Sequence, residues 1–341
     1  MTKGAYAQAG VDIDAGNQAV ELMKNAIRRT YTPQVLSDTG NFGGLFSIEH
    51  LKHMTAPILV ASTDGVGTKT KVATRLNRWD TIGQDLVNHC INDILVQGAT
   101  PLFFMDYVAS SKLVPQHIAT IVKGIAQACE QAGIALLGGE TAEMPDVYVS
   151  GEIDLAGTIV GVVDRAHLID GKQIQVGDVV LNLASSGLHT NGFSLARKVL
   201  DGLDWQTPHS DLQTTIGEVL LAVHRPYLHE IQAIRNAHIS IKGLAHITGG
   251  GVIENLPRIL PHGLGANITL GAWDVLPIFG LLQRTGDIPT AEMYRVFNMS
   301  LGMLMVLSPQ DIAQAQAILP ELRVVGEIIT GAGVTLWGES A

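Results

Sequence analysis

Charge is scarce in this chain and aromatic residues scarcer: of its 341 residues, 16% are Asp, Glu, Lys or Arg and 5% are Phe, Trp or Tyr. Basic residues are outnumbered 22 to 32, for a net charge of −10. No basic stripe is left to displace counterions from a nucleic-acid backbone, which argues against a general nucleic-acid binder. Cysteine is nearly absent. The two present, Cys90 and Cys129, form no CxxC pair and sit in stretches of helical period, as buried thiols of a reducing compartment would.

Long apolar runs are lacking too. The amino terminus carries no apolar core of signal-peptide length, and the uncharged stretch from Val296 to Gln310 is too short for a bilayer and interrupted by Asn298 and Ser300. A soluble, cytoplasmic protein without a membrane partner is expected. GxxxxGK[ST] is missing, as are a GxGxxG after a strand, HExxH and GxSxG, which argues against a P-loop, a dinucleotide fold, a zincin and a hydrolase elbow. The hydrophobic fraction of 46% is that of a folded protein, and the 37 glycines are dispersed, so many tight turns are implied. The length suggests about two domains.

The chain is organised around Ser62-Thr63-Asp64-Gly65-Val66-Gly67-Thr68-Lys69, which follows the apolar run Pro57 to Ala61. The run is short enough for a buried strand, which would put a polar turn at its carboxyl end, where ligands collect in α/β folds. Gly65 and Gly67 allow close backbone approach, Asp64 offers a hard oxygen for Mg²⁺, and Lys69 a point charge for phosphate. A tight turn with solvated Asp and Lys is the other reading of the same residues. An acidic protein can bind ATP in this local way, through amides, a few cations and Mg²⁺.

Upstream, a helix carries Val20, Met23 and Ile27 on one face with Lys24 beside them; from its spacing Lys24 reads as a solvated lysine. The loop Thr39 to Gly44, with Gly43 and Gly44, has the composition of a lid. Downstream, Asp80 can cap a helix from about Thr81 to Gln97 with the stripe Ile82, Leu86, Cys90, Ile94, and Asn92 and Asp93 near its end. A strand from Pro101 to Ala109 contains Asp106, which needs a hydrogen bond or a metal. A second helix starts at Pro115 and stops at Gly133. The strand Ile134 to Leu137 then runs into Gly138-Gly139-Glu140, and a long strand from Ile153 to Val163 follows. Asp164 to Gly177 is turn-rich, and domains of 1–168 and 169–341 are expected. In the second, Ser185-Ser186-Gly187-Leu188-His189-Thr190-Asn191-Gly192 and Thr248-Gly249-Gly250-Gly251 each link a strand to a helix, an arrangement suited to presenting amides to an anion. Asp64, Asp93 and Glu140 fall near element ends, and three convergent carboxylates would suit Mg²⁺ with nucleotide phosphates completing the shell. His189 reads either as a base or substrate clamp or as a structural histidine.

Taken together, Tyr6 to Asn17, Thr63 to Lys69, Asp80 to Tyr107, Gly138 to Pro145, Ser185 to Arg197 and Thr248 to Arg258 resemble, in collinear order, the phosphoribosylformylglycinamidine cyclo-ligase (aminoimidazole ribonucleotide synthetase) family. Selenophosphate synthetase, thiamine-monophosphate kinase and a hydrogenase maturation factor share the logic of the first half. They fit less well, since the amino-terminal glycine segment has no reactive Cys and the chain ends Gly338-Glu339-Ser340-Ala341. Asn41 stands where cyclo-ligases tend to have glycine, and Met299-Ser300 where they often have Cys-Gly.

The resemblance implies an α/β (α+β) fold of two domains. The first would contribute strands to a β-barrel-like interface of a homodimer, and the second would be a mixed sheet flanked by helices. It implies ATP-dependent ring closure of formylglycinamidine ribonucleotide in purine biosynthesis, through an iminophosphate. Another small-molecule kinase of the superfamily and a non-catalytic ATP-binding protein are the alternatives. Mg²⁺ would be held by Asp64, Asp93 and Glu140. ATP would be bound by Lys24, Gly43, Gly44, Gly65, Gly67, Thr68, Lys69, Gly138 and Gly139 with those carboxylates, and the substrate by Ser186, Gly187, His189, Asn191, Gly249, Gly250 and Gly251. Asp64, Lys69, Asp93 and His189 are the expected catalytic residues.

Overall fold

The first strand runs further than its apolar run suggests: β1 spans Pro57–Gly65, so Ser62, Thr63 and Asp64 belong to a strand and only Val66 to Thr68 turn. The computed structural model describes residues 11–38, 40 and 42–338. Tyr6 to Gly10, Thr39, Asn41 and the final Glu339-Ser340-Ala341, all used in the sequence reading, lie outside the described residues. The chain divides into two compact units. One runs to Ile94 and resumes over Ala99–Ala166; the other takes Leu95–Gly98 and everything from His167 on.

In the first unit, Asp12 caps α1 (Ile13–Arg29) by accepting from the amide of Ala15. Ala19, Met23 and Ala26 are its buried residues, while Val20 is 46% exposed, so the inward face is rotated from the one the larger side chains suggest. Small residues let α1 lie close on the helix Pro115–Ala132, and this contact outweighs side-chain size. Helices α2 (Lys69–Leu76) and α3 (Ile82–Leu95) come next; the sequence reading had no helix at Lys69. Strand β2 (Thr100–Ser110) leads through α4 (Pro115–Ala132) into β3 (Ala135–Glu143), and β4 (Ile153–Asp164) closes the sheet. Proline starts α4 and Gly133, at φ +68°, ends it.

The sheet order is β1-β4-β2-β3, antiparallel except for β2 beside β3, the pair that needs a helical crossover. Cross-strand pairing puts Asp64, Gly157, Asp106 and Gly139 in one row. That face is covered by helix: a Cβ on Gly157 would meet Phe104 and Leu86, one on Gly161 would meet Ile94, and the Cys90 thiol reaches the Gly157 carbonyl. On the opposite face Leu59 and Met105 remain exposed, at 67% and 38%. Both cysteines are buried and unpaired with each other.

The second unit is built on a six-stranded sheet of order β12-β9-β11-β5-β10-β8. Its strands are β5 (Val179–Ala184), β8 (Gly243–His246), β9 (Leu264–Thr269), β10 (Leu301–Leu307), β11 (Arg323–Thr330) and β12 (Gly333–Trp337); β6 (Pro208–His209) and β7 (Thr214–Thr215) form a separate small pair. Only β12 against β9 is parallel. All of β10 is buried, which explains the uncharged run Leu301–Leu307. The helices include α5 (Phe193–Val199), α6 (Ile216–Leu220), α7 (Leu228–Asn236) and α8 (Gly251–Asn255). Two hydrogen bonds tie Leu95–Gly98 to this unit, Ile169 N–H to the Gln97 carbonyl at 3.2 Å and the Arg235 guanidinium to the Gly98 carbonyl at 2.8 Å.

Candidate functional site

Two groups of side chains stand out, one in each unit. In the first, β1 delivers Ser62 and Asp64 to the helix-covered face, and one turn of α3 delivers His89 and Asp93, at i and i+4. His89 Nε2 lies 2.6 Å from Asp64 Oδ2 and 3.4 Å from Asp93 Oδ2. The amide of Gly65 donates to Asp64 Oδ1 at 2.7 Å, and Ser62 Oγ donates to Asp93 Oδ2 at 3.1 Å, so each carboxylate is oriented by a second partner. Burial by itself lowers the His89 imidazole, but the hydrogen bonds and charges of Asp64 and Asp93 outweigh it and raise it to about 9. Burial raises Asp64, yet the His89 hydrogen bond and charge, with the Gly65 amide, leave its carboxyl below the usual range.

The structure thus brings Asp64 and Asp93 together through His89, which the sequence reading contained only as part of a motif. Its i, i+4 spacing to Asp93 was the available signal. Glu140 is not brought there. Strand β3 continues through Gly138-Gly139-Glu140, pairing Gly139 with Asp106 and Glu140 with Tyr107, so Glu140 is exposed on the opposite face from Asp64. Gly139 is required by crowding, since a Cβ there would overlap Asp106 Oδ1 at 2.1 Å. Burial pushes the carboxyl of Asp106 up to about 7.

Lys69 also sits apart from its expected role. Its side chain is 0% exposed, with Nζ 2.8 Å from Asp85 Oδ2, equally buried. Burial lowers its ammonium and Asp85 opposes that shift. Lys24 pairs with Glu21 at 3.3 Å on the outside of α1. Gly43 has open space around it, whereas Gly44 packs on Leu137. Gly65 ends β1, with Gly67 and Thr68 in the turn that caps α2.

The second group lies in the second unit. Ser186 N–H donates to His189 Nε2 at 3.2 Å, which makes that nitrogen an acceptor and puts the neutral imidazole's proton on Nδ1. His189 adopts φ +60° and stacks on His224, ring centroids 3.9 Å apart. His224 in turn places Nε2 3.1 Å from His246 Nε2 and Nδ1 3.5 Å from Thr190 Oγ1. Ser186 Oγ donates to the Val223 carbonyl, and Arg225 and Tyr227 both donate to the Ala184 carbonyl. The segment from Val223 to Tyr227 therefore clamps the turn after β5. His224 and His246 were missed by the sequence reading because neither lies in a glycine turn.

The two glycine turns meet at Asn191. Its Oδ1 lies 3.2 Å from where a Cβ on Gly249 would stand, and its Nδ2 is buried with no hydrogen-bond partner among the described residues. Ser186, Gly187, His189, Asn191 and Gly249 are thus collected in one place. Gly251, at φ +59°, has its amide bonded to the Thr248 carbonyl at 3.0 Å, and a Cβ there would lie 2.0 Å from the Tyr294 carbonyl. Its role in the turn is packing. Asn298 holds the Gly187 carbonyl and accepts from Ser185 Oγ, which fixes the floor of the turn.

Comparisons with known proteins fit this division. The profile of the AIR synthase related protein N-terminal domain matches residues 51–163, and that of the C-terminal domain matches residues 175–339. The chain is 53% identical over 328 residues to a phosphoribosylformylglycinamidine cyclo-ligase of Desulfitobacterium hafniense, covering 95% of this chain and 96% of the relative. It is 50% identical over 326 residues to one of Brevibacillus brevis, covering 95% and 93%. Among solved structures, a thiamine-monophosphate kinase of Stenotrophomonas maltophilia matches with TM-score 0.69 at 17% identity, over 95% of this chain and 97% of that one. A hydrogenase maturation protein HypE in complex with ATP matches with TM-score 0.67 at 16% identity, over 94% and 91%. The solved structures share the mixed, two-domain α/β fold, and the sequence relatives span both domains at half identity: the chain belongs to the phosphoribosylformylglycinamidine cyclo-ligase family, within the AIR synthase related proteins.

Proposed function

We propose that the protein closes the imidazole ring of formylglycinamidine ribonucleotide to give 5-aminoimidazole ribonucleotide, converting ATP to ADP and phosphate, as a step of purine biosynthesis. The observation that carries the reading is identity near one half to cyclo-ligases over nearly the whole chain. An amide oxygen is a poor leaving group. In the proposed course the formyl oxygen takes the γ-phosphoryl group and ADP departs; an amidine nitrogen then bonds to the formyl carbon, and phosphate leaves with the former formyl oxygen. Holding the substrate folded and neutralising phosphoryl charge are positioning tasks, for which no protein nucleophile is needed.

The paired carboxylates of Asp64 and Asp93 fit a divalent cation, since two oriented oxygens converge on one point. Bound Mg²⁺ would supply charge neutralisation for the phosphates of ATP there. Asn191 Nδ2 is the free donor we assign to the ribonucleotide, with His189 holding the Ser186 amide in place. Lys69 supports the turn through Asp85. A homodimer would cover Leu59 and Met105 on the open sheet face, and sedimentation at micromolar concentration tests it. No described helix is long and apolar enough to cross a membrane, in keeping with a cytoplasmic enzyme. The function is tested by purified protein with formylglycinamidine ribonucleotide, ATP and Mg²⁺: one aminoimidazole ribonucleotide and one phosphate per ATP are expected. A stable phosphorylated product would point to a kinase instead.

A further inference from the structure

We propose that His89 is itself a metal ligand, and that Asp64, His89 and Asp93 hold a first-row divalent cation such as Mn²⁺ through one imidazole nitrogen and two carboxylate oxygens, in preference to Mg²⁺. This rests on the metal reading of Asp64 and Asp93 and deepens it.

The geometry carries the proposal. Ligands at right angles around an ion with bonds of about 2.1 Å lie about 3.0 Å apart. The His89 Nε2 distances to the two carboxylate oxygens, 2.6 and 3.4 Å, bracket that value, and all three donor atoms fall within 4.8 Å of one another. The same ring nitrogen faces both carboxylates, so an ion that displaced the Nε2 proton to solvent would lie among all three groups. Rigidity is supplied from two elements, α3 and β1. His89 is 5% exposed on α3, Asp64 is held by the Gly65 amide at the end of β1, and Asp93 is held by Ser62. Asp64, at 46% exposure, leaves one side open to water or a phosphate oxygen.

The donor set then decides the metal. Mg²⁺ prefers oxygen ligands and gives up its water reluctantly, whereas imidazole nitrogen suits first-row ions; Mn²⁺, which shares the carboxylate preference of Mg²⁺, is the first-row ion that fits a site with two carboxylates to one imidazole.

The test uses the full-length protein with Mn²⁺ alone, no nucleotide present. Calorimetry is expected to give Mn²⁺ an affinity at least about tenfold above that of Mg²⁺, reduced toward parity in His89→Ala. Electron spin-echo modulation of bound Mn²⁺ should show coupling to an imidazole nitrogen, converted to the ¹⁵N pattern in protein grown with ¹⁵N-histidine. That coupling should vanish in His89→Ala and His89→Gln, with circular dichroism confirming that the variants fold. If Mn²⁺ binds and Asp64→Asn abolishes the binding, but wild type shows no nitrogen coupling, His89 is not a ligand while the carboxylate site stands. If Asp64→Asn leaves binding unchanged as well, the metal reading of this site fails with it.

Discussion

Lys69 and Asp85 form an ion pair sealed from solvent, Nζ to Oδ2 at 2.8 Å with neither side chain exposed. Lys69 begins α2, directly after the turn that follows Asp64, so the pair fixes where that turn ends. Removing one partner strands the other as a buried charge, which costs about 3–5 kcal/mol, whereas removing both is far milder. Lys69→Met and Asp85→Leu should each lower stability by that amount in urea titrations, and the double variant by less than either. Additive losses would mean that the two charges are not coupled.

Asp106 gives the clearest pH dependence. Its carboxyl is raised to about 7 in the folded chain, against about 3.9 unfolded. The folded state therefore binds the proton more tightly, and the stability this contributes is full below about pH 4 and lost as pH rises through 7. Asp106→Asn should raise the melting temperature at pH 8 by at least about 3 °C while changing little at pH 5. A gain of equal size at both values would contradict the assignment.

Ser300 sits at φ +68°, next to Met299 at +48°, in a conformation that favours glycine. Cyclo-ligases often have Cys-Gly at this place, and the left-handed backbone accounts for the glycine. Here Ser300 Oγ accepts from the Leu276 amide at 2.8 Å, a bond glycine lacks. Ser300→Ala loses that bond and keeps the strain, so chemical denaturation should show a loss of about 1–2 kcal/mol. Ser300→Gly should lose less. The reverse order would show that backbone strain has no part.

Asn191 is expected to act on substrate and not on stability, because its amide nitrogen has no protein partner among the described residues. Asn191→Ala should raise KM for the ribonucleotide about tenfold, the equivalent of about 1.4 kcal/mol, with KM for ATP and the melting temperature little changed. A lower melting temperature with normal kinetics would return Asn191 to a structural role.

These residues also show how much the sequence made legible. Pro115 and Gly133 bounded α4, and Val179 and Ala184 bounded β5, because chain-breaking residues stand next to strongly apolar runs. Asp64 and Asp93 were readable as candidates, since acids at element ends are visible in one dimension. Their meeting was not, because it depends on one helix turn crossing one strand. Glu140 was misplaced because Gly138 and Gly139 suggested a strand end, whereas Gly139 is small in order to admit Asp106. The burial of Lys69 was hidden because its partner lies on a different helix. The histidines of the second unit were half legible: His189 lies in a glycine turn, but His224 and His246 join it only through the clamp after α6 and the end of β8.

In the proposed reaction the formyl oxygen carries the phosphoryl group and leaves with it. Substrate labelled with ¹⁸O at the formyl oxygen should therefore transfer one ¹⁸O to each phosphate released as aminoimidazole ribonucleotide forms, read by mass spectrometry or by the ³¹P isotope shift. Label recovered in water, with unlabelled phosphate, would contradict the account.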